Sequence, residues 1–204
     1  MSMARVNNYL IQAAQAKERF LTYDQQKLIK KFQLKWDEEH IYVNLLWRQY
    51  RIQRTTGNME YQDGEAWADG NSYDEVMTLL DLLCDSRDDR CLTGKLASMA
   101  SFGRLFYRSS YDEKPDPSAQ WIQENLAAFQ EVCARFGTPI SGGDFGYAFN
   151  LFDGLKLGFH FWEGDDEFAP RLRFLWDENA LQYLRFETMH MAVSLLISFL
   201  KNEL

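Results

Sequence analysis

Long apolar runs, paired cysteines and any excess of positive charge are missing from this 204-residue chain. The most apolar stretch, residues 189–200, contains His190, Ser194 and Ser198. It falls short of the ~20 residues that a membrane-spanning helix needs. The N-terminus turns polar at once, with Asn7, Asn8, Gln12 and Gln15, and shows no apolar core of a signal peptide. No membrane partner is expected, and the location read from the sequence is cytoplasmic. The cysteines are three, Cys84, Cys91 and Cys133, without a Cys-x-x-Cys pair. An odd, scattered set excludes a disulfide framework and a closed zinc site and fits a reducing compartment. Cys84 and Cys133 fall on apolar helical positions and read as small buried hydrophobes, whereas Cys91 lies in a polar loop.

The net charge is −8 and the pI about 4.9. That field repels a phosphate backbone, and the only basic concentration, Lys27, Lys30 and Lys31, reads as the wet face of one helix, so no nucleic-acid partner is expected. Walker, Rossmann and G-x-S-x-G patterns are absent. Gly142-Gly143 precedes a strand pattern instead of a helix, which removes the phosphate-cradle geometry. Without an internal repeat or a Pro/Gly/Ser linker, residues 1–204 read as a single domain.

Aromatic residues are plentiful at 15% of the chain. Each buried ring removes roughly 150–250 Å² from water, so a bulky core is expected without disulfide or metal support. Helical spacing of Val6, Leu10, Ala13, Ala14 and Phe20 predicts a helix over residues 4–21, and Asp24 caps a second helix carrying Leu28, Ile29 and Phe32. Alternation then predicts two strands around 41–46 and 50–53, reversing near 47–49. Residues 57–71 are rich in Gly, Asn and Asp and read as a loop. Ser72 and Glu75 form a capping box for a helix whose buried stripe is Val76, Leu79, Leu80 and Leu83. Residues 85–116 show no clear period around Phe102 and residues 105–107. Asp116 and Pro117 open a helix that carries Ile122, Leu126, Phe129, Cys133 and Phe136 and ends at Gly137.

The C-terminal third holds the strongest hairpin signal, Asp153-Gly154 between residues 145–152 and 155–162. A two-residue turn there sets Phe152 opposite Leu155 and Tyr147 opposite His160. A third strand over 171–176 and a mostly apolar helix over 187–202 follow. Strands and helices are segregated. The predicted fold is α+β, with an antiparallel sheet (hairpin plus C-terminal meander) packed by four to five helices.

Several segments carry a family resemblance: residues 143–147, 161–168 and 174–179, residues 185–188 at the start of the last helix, the Tyr50-Arg51-Ile52 strand and the 72–77 helix start. Together they resemble a bacterial family catalogued only as a domain of unknown function, over most of the chain from the first hairpin onward. The resemblance implies occurrence mainly in anaerobes, with some members joined to a four-cysteine iron–sulfur module. This chain has three scattered cysteines, so that role does not transfer to its residues. The family brings no activity with it.

Glu187-Thr188-Met189-His190 contains one Glu-x-x-His, but a di-iron centre needs two copies on facing helices. Asp69, Asn71 and Asp74 lack the spacing of a calcium loop. His160 is followed by Glu163, Asp165, Asp166 and Glu167, a donor set of the right kind for a metal, set against the plainer reading of a solvated hairpin tip. Rings at both parities of the hairpin, with Tyr147, Phe149 and Trp162 on one face and Phe152, Phe159 and Phe161 on the other, predict a sheet covered twice or exposing a binding patch. The expected function is a binding module that holds a small molecule or a partner protein on an aromatic antiparallel sheet. Its ligand-binding residues are expected to be Tyr147, His160, Trp162, Glu163, Asp165 and Trp176. The competing expectation is a metal-assisted enzyme using His160 and the acidic loop 163–167. No cofactor or resident metal is assigned, and whether the chain is an enzyme stays open at this level.

Overall fold

Local signals place most elements of the computed structural model, which describes residues 8–102 and 116–204. Helix α1 (Asn8–Thr22) buries Ala16 and Phe20; Val6, which the periodicity assigns to it, lies outside the described residues, as do residues 105–107 and Lys114-Pro115. Asp24 Oδ1 accepts the Gln26 and Lys27 amides at 3.1 and 3.2 Å and opens α2 (Gln25–Phe32), satisfying two of the donors that a helix start leaves free. At α3 (Tyr73–Asp85) the capping box is complete. The Glu75 carboxylate that closes it also accepts the Tyr50 hydroxyl at 2.7 Å and so ties the helix start to the first sheet.

The α+β class and the antiparallel pairing hold among the described residues, but there are two sheets of five strands and six helices. The N-terminal sheet runs in chain order: β1 (Lys35–Trp36), β2 (His40–Leu45), β3 (Arg48–Gln53), β4 (Met59–Asp63) and β5 (Ala66–Asp69). The first reversal falls on Leu46-Trp47, slightly earlier than the alternation suggests. Residues 57–71, expected to be a loop, hold the β4–β5 hairpin, which turns through Gly64 at φ +60°. The C-terminal sheet has the order β6 (Leu96–Ser98), β10 (Arg171–Asp177), β9 (Leu155–Trp162), β8 (Phe145–Phe152) and β7 (Thr138–Pro139). The long helix expected after Asp116 is two, α4 (Pro117–Glu124) and α5 (Leu126–Phe136). Asn125, at φ −121° and ψ 26°, breaks it, and its side chain bonds the Trp121 carbonyl at 2.9 Å. Helix α6 (Phe186–Asn202) is buried on most sides and packs against α3 and α5.

Among the described residues, the large apolar side chains of both sheets and all six helices join one cluster. In it, Trp47 of the β2–β3 turn stacks on Phe136 at 4.3 Å and meets Phe149 and Phe199. No helix among the described residues is long and apolar enough to cross a membrane.

Candidate functional site

The C-terminal hairpin turns most of its rings away from solvent. Phe152 pairs with Leu155 as the turn requires, but the register shifts between Asn150 and Phe152, leaving Leu151 as an extra residue in β8. One added residue reverses the side-chain parity of everything beyond it. His160 therefore lies opposite Gly146, and Tyr147 opposite Phe159. Phe145, Tyr147, Phe149, Phe159, Phe161, Phe174 and Trp176 now share the face turned to the core. The opposite face carries Gly146, Ala148, Gly158, His160 and Trp162. The expectation of large rings on both faces is corrected by this single inserted residue.

The bulge also divides the expected ligand-binding set. Trp176 is fully buried, and Tyr147 packs half-buried against Phe145 and Phe159. His160 and Trp162 meet edge to face at 5.9 Å on the other side, with Arg173 5.1 Å from the Trp162 ring. The His160 imidazole rests on glycine backbone: a Cβ on Gly142 would stand 2.4 Å from its Cε1, and one on Gly146 2.8 Å from its Cδ2. The acidic loop turns to its own backbone. Asp165 Oδ1 accepts the Glu167 and Phe168 amides at 2.9 and 2.7 Å, and these bonds hold its carboxyl below the usual carboxylate range. The Glu163 amide donates to Asp144 Oδ2 at 2.7 Å. Among the described residues no three His, Cys, Asp or Glu side chains converge to hold a metal.

A different surface gathers rings and charges. Along β2, β3 and β4 of the N-terminal sheet the inward positions bury Ile41, Val43, Leu45, Tyr50, Ile52 and Met59. The residues between them face out, and cross-strand pairing aligns Lys35, Tyr42, Arg51, Glu60 and Asp69 in one row across all five strands. Arg51 donates from Nε to Glu60 at 2.6 Å, and its guanidinium lies 4.4 Å from the Trp67 ring centroid. Stacking and ion pairing together fix the plane of the guanidinium and leave its Nη groups unengaged by described residues. The Tyr42 ring lies 6.2 Å from that of Trp67, and its hydroxyl donates to Asp37 Oδ2 at 2.7 Å. That bond, with the His40 and Glu39 amides on Oδ1, keeps the Asp37 carboxyl ionised below the usual range and raises the Tyr42 phenol.

At the Gln53 end of the same strands a cleft of about 600 Å³ opens, lined by Lys17, His40, Gln53, Glu60, Asp69 and Asn71 among others. Lys17 reaches it from α1, because Gly57, at φ +72°, lets the helix approach until a Cβ there would stand 3.1 Å from the Lys17 Cβ. The Lys17 ammonium donates to Asn58 Oδ1 at 2.9 Å and Asn71 Oδ1 at 2.6 Å. Asn71 is held in turn by the Met59 backbone, accepting from its N–H at 3.0 Å and donating to its C=O at 2.8 Å. Burial lowers the Lys17 pKa, and Asp69 offsets this in part. Donors and acceptors thus alternate along the cleft, beside a planar aromatic–guanidinium platform. None of these residues belongs to the expected set. The available signal was Gly64, since a glycine at the first position of a two-residue hairpin turn, here Gly64-Glu65, places Trp67 and Asp69 on a strand beside Glu60.

The family described as Domain of unknown function (DUF3786) matches residues 24–198, a span that includes both sheets and begins just after α1. No curated protein and no solved structure matches the chain.

Proposed function

The chain belongs to the family described as Domain of unknown function (DUF3786), and we propose that it is a binding module holding a small polar molecule on the outward face of its N-terminal sheet. One observation carries this reading. The C-terminal sheet turns most of its rings inward, whereas the N-terminal sheet turns Tyr42, Arg51 and Trp67 outward beside the polar cleft at Lys17. Ligand sites combine apolar contact area with a few fixed polar groups, and this surface has both. Arg51 and Lys17 offer donors, Glu60 and Asp69 offer acceptors, and the Trp67 and Tyr42 rings supply a flat wall. A ligand rich in hydroxyl or carbonyl groups fits that mixture. Three cysteines without a disulfide, two of them buried, support placing the protein in a reducing cytoplasm, in keeping with the bacterial setting that the sequence resemblance implies.

Native mass spectrometry of the protein purified from its own host tests the proposal. The expected result is a bound small-molecule mass that is lost in the Arg51→Gln, Trp67→Ala double variant. Because both side chains face outward, that variant keeps the parent fold by circular dichroism. No adduct on the parent, or an adduct that survives in the variant, overturns the assignment.

A further inference from the structure

The opposite end of the same strands holds a second cleft, of about 500 Å³, between the N-terminal sheet and the end of α6. Arg48, the first residue of β3, lines it together with Trp47, Tyr61, Asp63, Asn202 and Glu203. Its guanidinium carbon lies 3.8 Å from the Phe199 ring centroid and 4.6 Å from that of Tyr61, so two aromatic rings hold it. The Tyr50 hydroxyl beside it donates to Glu75 at 2.7 Å. No carboxylate among the described residues forms an ion pair with Arg48, in contrast to Arg19, Arg51, Arg90 and Arg135. The nearby Glu203 is already occupied: Oε2 accepts from Arg135 at 2.5 Å and Oε1 from the Trp47 indole at 3.4 Å.

We propose that this cleft binds a small carboxylate through the Arg48 guanidinium. A half-buried cation without a counter-ion is an unfinished arrangement, since burial of charge is compensated by pairing. Its five N–H groups form no ion pair with a described carboxylate, and aromatic rings fix the guanidinium in a plane. A planar fork held this way matches a planar carboxylate in two parallel hydrogen bonds, which a lysine does not reproduce. Asp63 on the rim opposes an anion, so binding is weakened by a like charge that can be removed. This proposal stands on residues other than Arg51, Trp67 and Lys17, and it survives or fails independently of the one above.

Isothermal titration with succinate at constant ionic strength tests it, with inorganic phosphate as the comparison. Succinate is expected to bind the parent protein, and Arg48→Lys to weaken binding by at least ~10-fold by losing the two-point contact. Asp63→Asn is expected to tighten binding, a gain that a folding defect does not mimic. Asn202→Phe, which fills the exposed rim and leaves Arg48 in place, is expected to abolish it. Absence of succinate binding to the parent protein, unchanged affinity in Arg48→Lys or in Asn202→Phe, no tightening in Asp63→Asn, or phosphate binding more tightly than succinate overturns the proposal.

Discussion

The backbone N–H of Leu46 donates to the carbonyl of Leu151 at 2.8 Å and joins the two sheets through their main chains. Each partner owes its availability to an irregularity. Leu151 is the extra residue of the β8 bulge, and Leu46 opens the β2–β3 turn at φ +54°. A leucine in the left-handed region costs of order 1–3 kcal/mol, which the surrounding contacts must offset.

The left-handed backbone at Leu46 makes a prediction that runs against hydrophobicity. Asparagine tolerates positive φ and a β-branched residue does not. Leu46→Asn is therefore expected to be more stable than Leu46→Val by about 1 kcal/mol, although valine is the closer apolar match. Urea midpoints of the two variants decide it, and a valine variant as stable as the parent contradicts the turn geometry.

Glu75 serves two structures with one carboxylate, Oε1 taking the Tyr50 hydroxyl and Oε2 the amide and hydroxyl of Ser72. Ser72→Ala is expected to cost ~1 kcal/mol through the lost cap. Ser72→Ala and Tyr50→Phe together are expected to depart from the sum of the single effects by roughly 0.5 kcal/mol or more, since they share a partner. Additive effects in a double-mutant cycle would mean that the cap and the sheet are energetically separate.

In the Asp153-Gly154 turn both residues have positive φ, +50° and +81°, and Arg90 holds the Asp153 carboxylate from Nε at 2.8 Å. Gly154→Val is expected to destabilise by roughly 1–3 kcal/mol, because a branched side chain resists that region. Thermal melts against the parent measure it, and an unchanged melting temperature rules the turn out.

That turn shows where sequence patterns are legible and where they stop. Asp153-Gly154 lies between two long apolar strands, so its composition and its flanks agree. Gly64-Glu65 joins shorter strands bounded by Gly57, Asn58, Gly70 and Asn71, and the loop-forming ends mask the hairpin. Caps at Asp24, Ser72 and Asp116 are readable because each is local, a side chain and the amides two or three residues on. The bulge at Leu151 is not readable, since nothing in Asn150-Leu151-Phe152 distinguishes an extra residue from a regular one. The platform of Tyr42, Arg51 and Trp67 is equally hidden, because it forms only when four successive strands are in register.

The acidic loop separates into residues that matter and residues that do not. Asp165 accepts two amides at the loop start, and no comparable bond is made by Asp166. Asp165→Ala is expected to lower the melting temperature and Asp166→Ala to leave it unchanged. The folded-state pKa of Asp165 is depressed, so its contribution is present above the ordinary aspartate range and is lost as pH falls through the folded value, below about pH 4. A carbon-13 NMR titration giving Asp165 an ordinary pKa removes the basis for this prediction.

The core uses the inner side of the N-terminal sheet, where Ile41, Val43, Tyr50, Ile52 and Met59 are fully or almost fully buried. The outer row thus belongs to a part of the sequence on which selection for stability has little purchase. Exchanges at Tyr42 or Trp67 leave the inner residues in place, so chains sharing this scaffold are free to diverge in what they recognise while remaining alike in how they fold. Variation among relatives should therefore concentrate at alternate positions of β2, β3 and β4, with a period of two along each strand. Such a footprint would mark a surface shaped by its ligands and not by its core.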